Sequence, residues 1–199
     1  VPNINNYKKI KPKIKNIYLS SSINDQNMNF IFAFSKVLKI KKKHFINAMS
    51  TFKGLPHRFE TFFKKNDITF INDSKATSFK STELALSSLK NIYWIAGGLP
   101  KKNDKINISR YKKKIIKCYL IGKHISFFKN QIKGKVDFLE TGNLESAIAQ
   151  ILKDVKLKYN AKKSVLFSPA AASFDQYTNF EKRGLKFKSL SKIYARKFI

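Results

Sequence analysis

From residue 59 to the C-terminus, short apolar runs alternate with stretches in which apolar residues recur at helical spacing. This alternation limits the fold of the 199-residue chain more than any other feature. The strand-like runs are 59–63, 68–71, 92–96, 118–121, 136–139 and 164–167, and the helical stretches are 82–89, 106–116, 124–131, 144–157 and 174–195. Residues 64–67 join the first two runs as a hairpin-like turn. Beyond them, strands that alternate with helices require crossover connections. The expected fold is therefore α/β, an open and mostly parallel, Rossmann-like sheet with flanking helices. Ahead of it, 29–38 and 43–52 read as a pair of helices, the first opening after the possible caps Asn24 and Asp25. Gly54-Leu55-Pro56 breaks the pattern, which puts a domain boundary between 1–53 and 54–199. Residues 1–23 are polar and basic, with one short apolar run at Ile17-Tyr18-Leu19 that reads as a strand remnant.

Composition narrows the class. A hydrophobic fraction of 43% with 14% aromatics is enough for a buried core. No apolar run approaches the ~20 residues that cross a bilayer, and the lysine-rich stretch 7–15 has no apolar core after it, so a soluble, cytoplasmic protein without a signal peptide is expected. Val1 in place of methionine suggests a piece of a longer chain. The one cysteine, Cys118, sits in the run Cys118-Tyr119-Leu120-Ile121 and reads as a buried strand residue. His44, His57 and His124 have no metal-ligand spacing with each other or with Cys118, so no metal site is expected from them. The net charge of +29 would suit nucleic acid or an anionic surface. Yet only Arg58, Arg110, Arg183 and Arg196 carry the planar fork that base edges and phosphates favour, while lysines are scattered over every segment. A solvated lysine surface is the preferred reading, an acidic small-molecule substrate fits it, and a basic nucleic-acid-binding module stands as the alternative.

In open α/β sheets ligands bind beyond the carboxyl ends of the strands. The unusual residues fall there. Asn72-Asp73-Ser74-Lys75-Ala76-Thr77-Ser78 follows one run. It would offer helix N–H groups and a lysine to an anion and an aspartate to ribose hydroxyls, or it is a plain helix start capped by Thr77 or Ser81. Gly97-Gly98-Leu99-Pro100-Lys101-Lys102 closes another run and could bring backbone and an ammonium against a carboxylate or phosphate, or be an ordinary turn. Neither a Walker A loop nor G-x-G-x-x-G occurs in the sequence. Ser168-Pro169-Ala170-Ala171-Ala172-Ser173 lets backbone approach a ligand closely, with Ser173 as a donor, and Asp175 could cap the helix behind it. No histidine follows His124, which disfavours a catalytic triad.

Together these segments resemble the Mur ligase family, and within it the D-glutamate-adding members. The resemblance runs from about Asn24 to the C-terminus through four ordered motifs: Phe52-Lys53-Gly54-Leu55-Pro56-His57-Arg58-Phe59-Glu60, then Asn72 to Thr77, then Gly97-Gly98 with Lys101, then Ser168 to Phe180 with Glu181-Lys182-Arg183-Gly184. It implies ATP-dependent addition of D-glutamate to UDP-N-acetylmuramoyl-L-alanine through an acyl phosphate. By position it implies nucleotide contacts at Asn24, Asn27, Arg58, Asp73 and Lys75. Arg58 reaches the phosphates, Asp73 the ribose, and Lys75 the transferring phosphate, so that Arg58 and Lys75 carry the catalytic charge. Thr77, Lys101, Ser173 and Phe180 form the pocket for the D-glutamate carboxylates.

The sequence departs from the family pattern at Ile23 (a histidine in the family), Ser78 (an asparagine) and Lys102 (a glycine). The resemblance further implies that 1–53 is the helical tail of a central ATP-binding domain. The phosphate loop, the Mg²⁺ ligands, the carbamylated lysine and the uridine-nucleotide domain belong to the part of such a ligase that precedes Val1. The chain is then expected to be silent by itself and to work with the rest of the ligase, with a neighbouring-step Mur ligase as a further alternative.

Overall fold

The apolar runs assemble into one six-stranded sheet in the order β1-β2-β6-β3-β4-β5. The strands are β1 (Glu60–Lys65), β2 (Ile68–Asn72), β3 (Ile92–Gly97), β4 (Ile115–Ile121), β5 (Phe138–Gly142) and β6 (Lys163–Phe167). This computed structural model describes residues 5–16, 19, 24–156 and 161–198. Only the β1–β2 hairpin is antiparallel; β2–β6, β6–β3, β3–β4 and β4–β5 are all parallel. The mostly parallel α/β sheet expected from the alternation is what forms.

Helices cover both faces because the central strands are apolar on both. Along β3, Trp94 and Ala96 face one layer and Tyr93 and Ile95 the other, as the two-residue period of a strand requires. The first layer holds α4 (Phe79–Ser88) and α5 (Ile125–Ile132), which bring Phe79, Leu86, Phe128 and Ile132 against Trp94, Leu120 and Leu166. The second holds α6 (Leu144–Lys156) and α7 (Phe180–Phe198), which bring Ile148, Leu152 and Phe187 against Tyr93, Tyr119 and Phe167. Cys118 is fully buried in β4, in line with its sequence context.

Some local expectations change. The stretch 106–116 is not a helix: Ile106 and Ile108 are buried two residues apart, the spacing of an extended segment. Only two short 3₁₀ turns, Ile108–Arg110 and Lys112–Lys114, precede β4. The expected helix over 174–195 begins only at Phe180. Before it the Ser173 carbonyl accepts the N–H groups of Gln176 and Tyr177 in a tight turn, and Asn179 rather than Asp175 caps the helix through Oδ1 to the Lys182 N–H at 2.7 Å. Likewise α4 starts at Phe79 and is capped by Ser78, not by Thr77 or Ser81. Leu157, expected to close the helix over 144–157, lies outside the described residues.

The chain divides into two compact units, Val1–Gly54 and Leu55–Ile199. The sheet belongs to the second. In the first, α1 (Asn5–Lys8), α2 (Asp25–Val37) and α3 (Lys42–Thr51) enclose a small core of Tyr7, Ile10, Met28, Phe32 and Phe45, with Phe32 and Phe45 ring centroids 5.0 Å apart. Asn16 closes the end of α3 by donating its amide N–H groups to the Met49 and Phe52 carbonyls at 2.7 and 2.6 Å. No strand occurs among the described residues of this unit; Ile17 and Tyr18 of the expected strand remnant lie outside them. No described helix is long and apolar enough to cross a membrane.

Gly184 shows how tightly α7 is seated. A Cβ there would come within 2.2 Å of His57 Nδ1 and 3.1 Å of Asn72 Nδ2. Helix propensity alone would make Gly184→Ala stabilising by about 1 kcal/mol. Overpacking against the hydrogen-bonded His57 ring outweighs it, and we expect a net loss of about 1–3 kcal/mol in denaturant unfolding. A variant more stable than the wild type would contradict this packing.

Candidate functional site

Three loops meet at the carboxyl ends of β2, β6 and β3. The register β2–β6 puts Asn72 opposite Phe167, so the segments 73–78 and 168–173 leave the sheet side by side. They are bonded at once: the Asp73 N–H donates to the Phe167 carbonyl at 2.8 Å, and the Ser168 hydroxyl donates to Asp73 Oδ2 at 2.8 Å. The third loop, after β3, is sewn to the second by Leu99 and Ala172, which exchange N–H···O bonds of 3.0 and 2.9 Å. Glycine is required on the β3 side. A Cβ on Gly97 would fall 1.9 Å from the Ile121 carbonyl oxygen, and one on Gly98 2.5 Å from that of Ala172. From sequence this pair would bring backbone against a carboxylate or phosphate, or be an ordinary turn; what the glycines admit here is neighbouring protein backbone, that of Ile121 and of Ala172.

The His57 to Glu60 segment folds onto the same end of the sheet. The Phe59 N–H donates to Asp73 Oδ1 at 3.1 Å, and the Lys75 N–H to the His57 carbonyl at 3.0 Å. Beneath them lies a buried polar cluster. Glu60 Oε2 accepts the His57 N–H at 3.0 Å and the Asn72 amide at 3.3 Å, while Lys188 pairs with Glu60 Oε1 at 2.5 Å. Asn72 Oδ1 accepts the Ser74 N–H, so its Nδ2 faces His57 Nδ1 at 2.9 Å as donor, which leaves the proton of the neutral imidazole on Nε2. Burial holds the His57 imidazole below its ordinary value, keeping it neutral. His57, Phe59 and Ala170 all have positive φ (62°, 46° and 57°), a concentration of strain in the loops around one end of the sheet.

Asp73 is strongly altered by this setting. Burial pushes its carboxyl up to about 6, against the opposing pull of the Ser168 hydroxyl, the Phe59 N–H and the Arg58 charge. Near neutral pH it is ionised and an acceptor. Arg58 (whose charge acts on Asp73), Lys75 and Lys101 are exposed cations of these segments, with Lys75 Nζ 4.7 Å from the centroid of the Phe180 ring. Thr77 is half-buried and Ser173 buried. Asp104 Oδ2 accepts the Phe79 N–H at 2.8 Å and so draws the loop that carries Lys101 onto the start of α4, beside Thr77. Such an arrangement can bind anions through fixed cations and hydroxyls, and hydroxyls through one ionised carboxylate.

Comparison with known proteins gives this chemistry a context. No family model matches the sequence. The chain is 39% identical over 186 residues to the UDP-N-acetylmuramoylalanine--D-glutamate ligase of Wolbachia pipientis wMel, covering 90% of this chain and 36% of that protein. It is 40% identical over 161 residues to the ligase of the same name from Rhizobium meliloti, covering 81% and 35%. In fold it is similar to MurF from Acinetobacter baumannii, with a TM-score of 0.63 at 14% identity over 88% of this chain and 38% of that one. MurC from Thermotoga maritima is also similar, at a TM-score of 0.54 and 14% identity. Over four fifths or more of its length the chain is thus similar to ligases that bear this name. It spans just over a third of the length of these curated relatives.

Of the residues singled out from sequence, Arg58, Asp73, Lys75, Thr77, Lys101, Ser173 and Phe180 are carried by the second unit on the segments just described, whereas Asn24 and Asn27 stand at the start of α2 in the first. Sequence reasoning gave no role to His57, Asn72, Asp104 or Arg183, which hold the loops of this candidate site together. For Arg183 a signal existed: two of only four arginines, Arg58 and Arg183, lie in family motifs of a chain that otherwise uses lysine.

The raised Asp73 value has a testable sign. Its protonated form is favoured by the fold, so this contribution is present at pH 4 and is lost as pH rises through about 6. Asp73→Asn, which cannot ionise, should gain stability relative to the wild type between pH 4 and 6.5, by up to about 3 kcal/mol. Urea unfolding across that range measures it; a difference that does not grow with pH would exclude a desolvated carboxylate.

Proposed function

We propose that this chain forms the C-terminal, D-glutamate-binding part of an ATP-dependent ligase that adds D-glutamate to UDP-N-acetylmuramoyl-L-alanine in peptidoglycan precursor synthesis. The observation that carries the reading is the convergence of the four ordered motifs on one end of the sheet, in a chain whose relatives bear the name of that ligase. In this reading Lys101, Thr77 and Ser173, with Phe180 beside them, receive the two carboxylates of the amino acid. Charge-assisted hydrogen bonds of that kind suit a dicarboxylate. Asp73 accepts from ribose hydroxyls, and Arg58 and Lys75 lie against phosphate oxygens, with Asn24 and Asn27 as further nucleotide contacts.

ATP would supply the activation of the substrate carboxylate as an acyl phosphate, which the D-glutamate amine then attacks. The part of this chain is to orient that amine and hold the anionic ends in place. Mg²⁺ finds no counterpart here: among the described residues there is no group of three or more acidic, histidine or cysteine side chains placed to hold a metal ion. No step is assigned to it on this chain. The rest of such a ligase is the expected partner, the cytoplasm the expected compartment, and the chain alone is expected to release no amide product.

Isothermal titration tests the pocket directly. The wild-type chain should bind D-glutamate in preference to L-glutamate, and Lys101→Ala should weaken that binding about 10- to 100-fold, the worth of a hydrogen bond to a charged group. Duplex DNA provides the contrast. Tight duplex binding that falls steeply with salt, with no D-glutamate heat, would replace this reading with the basic nucleic-acid module that the charge of +29 also allows.

A further inference from the structure

Arg183, in the first turn of α7, is 1% exposed, yet among the described residues no carboxylate bonds to it. Its Nε donates to Ser74 Oγ at 3.2 Å, and its Nη2 to the Ser74 and Ala171 carbonyls at 2.8 and 2.9 Å. These are neutral acceptors, one on the loop after β2 and one on the loop after β6. Nη1 is buried with no partner and points toward the loop after β3, where a Cβ on Gly98 would lie 3.1 Å from it. The nearby carboxylate of Asp175 is engaged by the Lys123 N–H at 3.0 Å, and Tyr177 is the other polar group facing the guanidinium. Burial lowers the guanidinium to about 10, which leaves it charged at neutral pH.

A buried cation without an ion-pair partner is a net cost to folding, and an apolar side chain of similar volume usually serves stability better. Its retention in a chain that otherwise favours lysine needs a different reason. The guanidinium supplies one, since a single planar fork spans the loops that carry Lys75 and Thr77, Lys101, and Ser173. Ser74 Oγ, held by Nε, in turn donates to the Phe180 carbonyl at 2.8 Å. A charge under low-dielectric loops also acts over several ångströms with little screening.

We propose that Arg183 is a positioning and specificity residue. It sets the three strand-end loops around one point and provides a fixed positive charge beneath them that favours a ligand with two carboxylates over one with a single carboxylate. The inference rests on the D-glutamate reading and deepens it, because it assigns the preference for a dicarboxylate to a residue that does not touch the ligand.

The test compares D-glutamate with D-glutamine, which differs by replacement of the γ-carboxylate with a neutral amide, in titrations of the wild type, Arg183→Lys and Arg183→Met. In Arg183→Met the preference for D-glutamate should fall about tenfold, the effect of removing one charge at this range in a protein interior. Arg183→Lys keeps the charge and loses the fork. It should weaken both ligands together while the preference survives; if the methionine variant does not fold by circular dichroism, Arg183→Gln, neutral but still able to donate to the same carbonyls, carries the test with the same expected loss of preference, about tenfold. A merely structural role predicts equal losses for both ligands in Arg183→Met, and that result overturns the inference while leaving the D-glutamate reading standing. A lost preference in Arg183→Lys overturns it as well. No D-glutamate binding by the wild type removes the reading and the inference together.

Discussion

The insertion of β6 between β2 and β3 is the constraint on which the rest of the second unit depends. It pairs residues far apart along the chain, Asn72 with Phe167 and Ile95 with Phe167, and so delivers two loops from distant parts of the chain to adjacent places. Parallel pairing fixes the direction in which both loops leave the sheet. Burial on both faces then fixes the register, because a slip of one residue would exchange the two core layers. Trp94 marks the junction: its indole N–H donates to the Ser168 carbonyl at 2.8 Å, tying β3 to the loop after β6. The Ser168 hydroxyl, 2.9 Å from the Thr82 hydroxyl and bonded to Asp73, extends the same tie to α4 and to the loop after β2.

Around that junction, packing and polarity are divided. Apolar layers above and below the sheet contribute most of the stability, as burial does in any α/β domain. The polar groups at the carboxyl end, Glu60, Asn72, Asp73, Ser74, Ser168 and Arg183, are mutually bonded and shape loops rather than fill volume. That division explains why strain gathers in these loops. Positive φ at His57, Phe59 and Ala170 is tolerated because hydrogen bonds from neighbouring loops over-determine the local backbone.

Much of this was legible in the sequence, for identifiable reasons. The sheet announced itself through runs such as Ile92 to Ala96, which are apolar throughout because the strand is buried on both faces. The site was visible because its odd residues follow those runs. The 106–116 segment misled because its buried Ile106 and Ile108 are two apart while Ile115 and Ile116 already belong to a strand, and together they mimic a helical period. The late start of α7 was hidden by a turn held through backbone bonds to the Ser173 carbonyl, which composition does not encode. The roles of His57, Asn72 and Arg183 depend on partners as many as 112 residues away along the chain, and no local pattern carries that information.

The buried thiol of Cys118 has its own consequence. It lies at 0% exposure in β4, between β3 and β5, and burial raises its pKa well above the ordinary thiol range. A thiol in that position reacts only when the strands around it part, because the thiolate is the reactive form and neither solvent nor reagent reaches it in the closed sheet. It is also the only cysteine in the chain. Thiol labelling of the unmodified protein therefore acts as a clock for opening of the sheet, counting rare excursions of the native state that ligand or substitution at the far loops would slow or hasten.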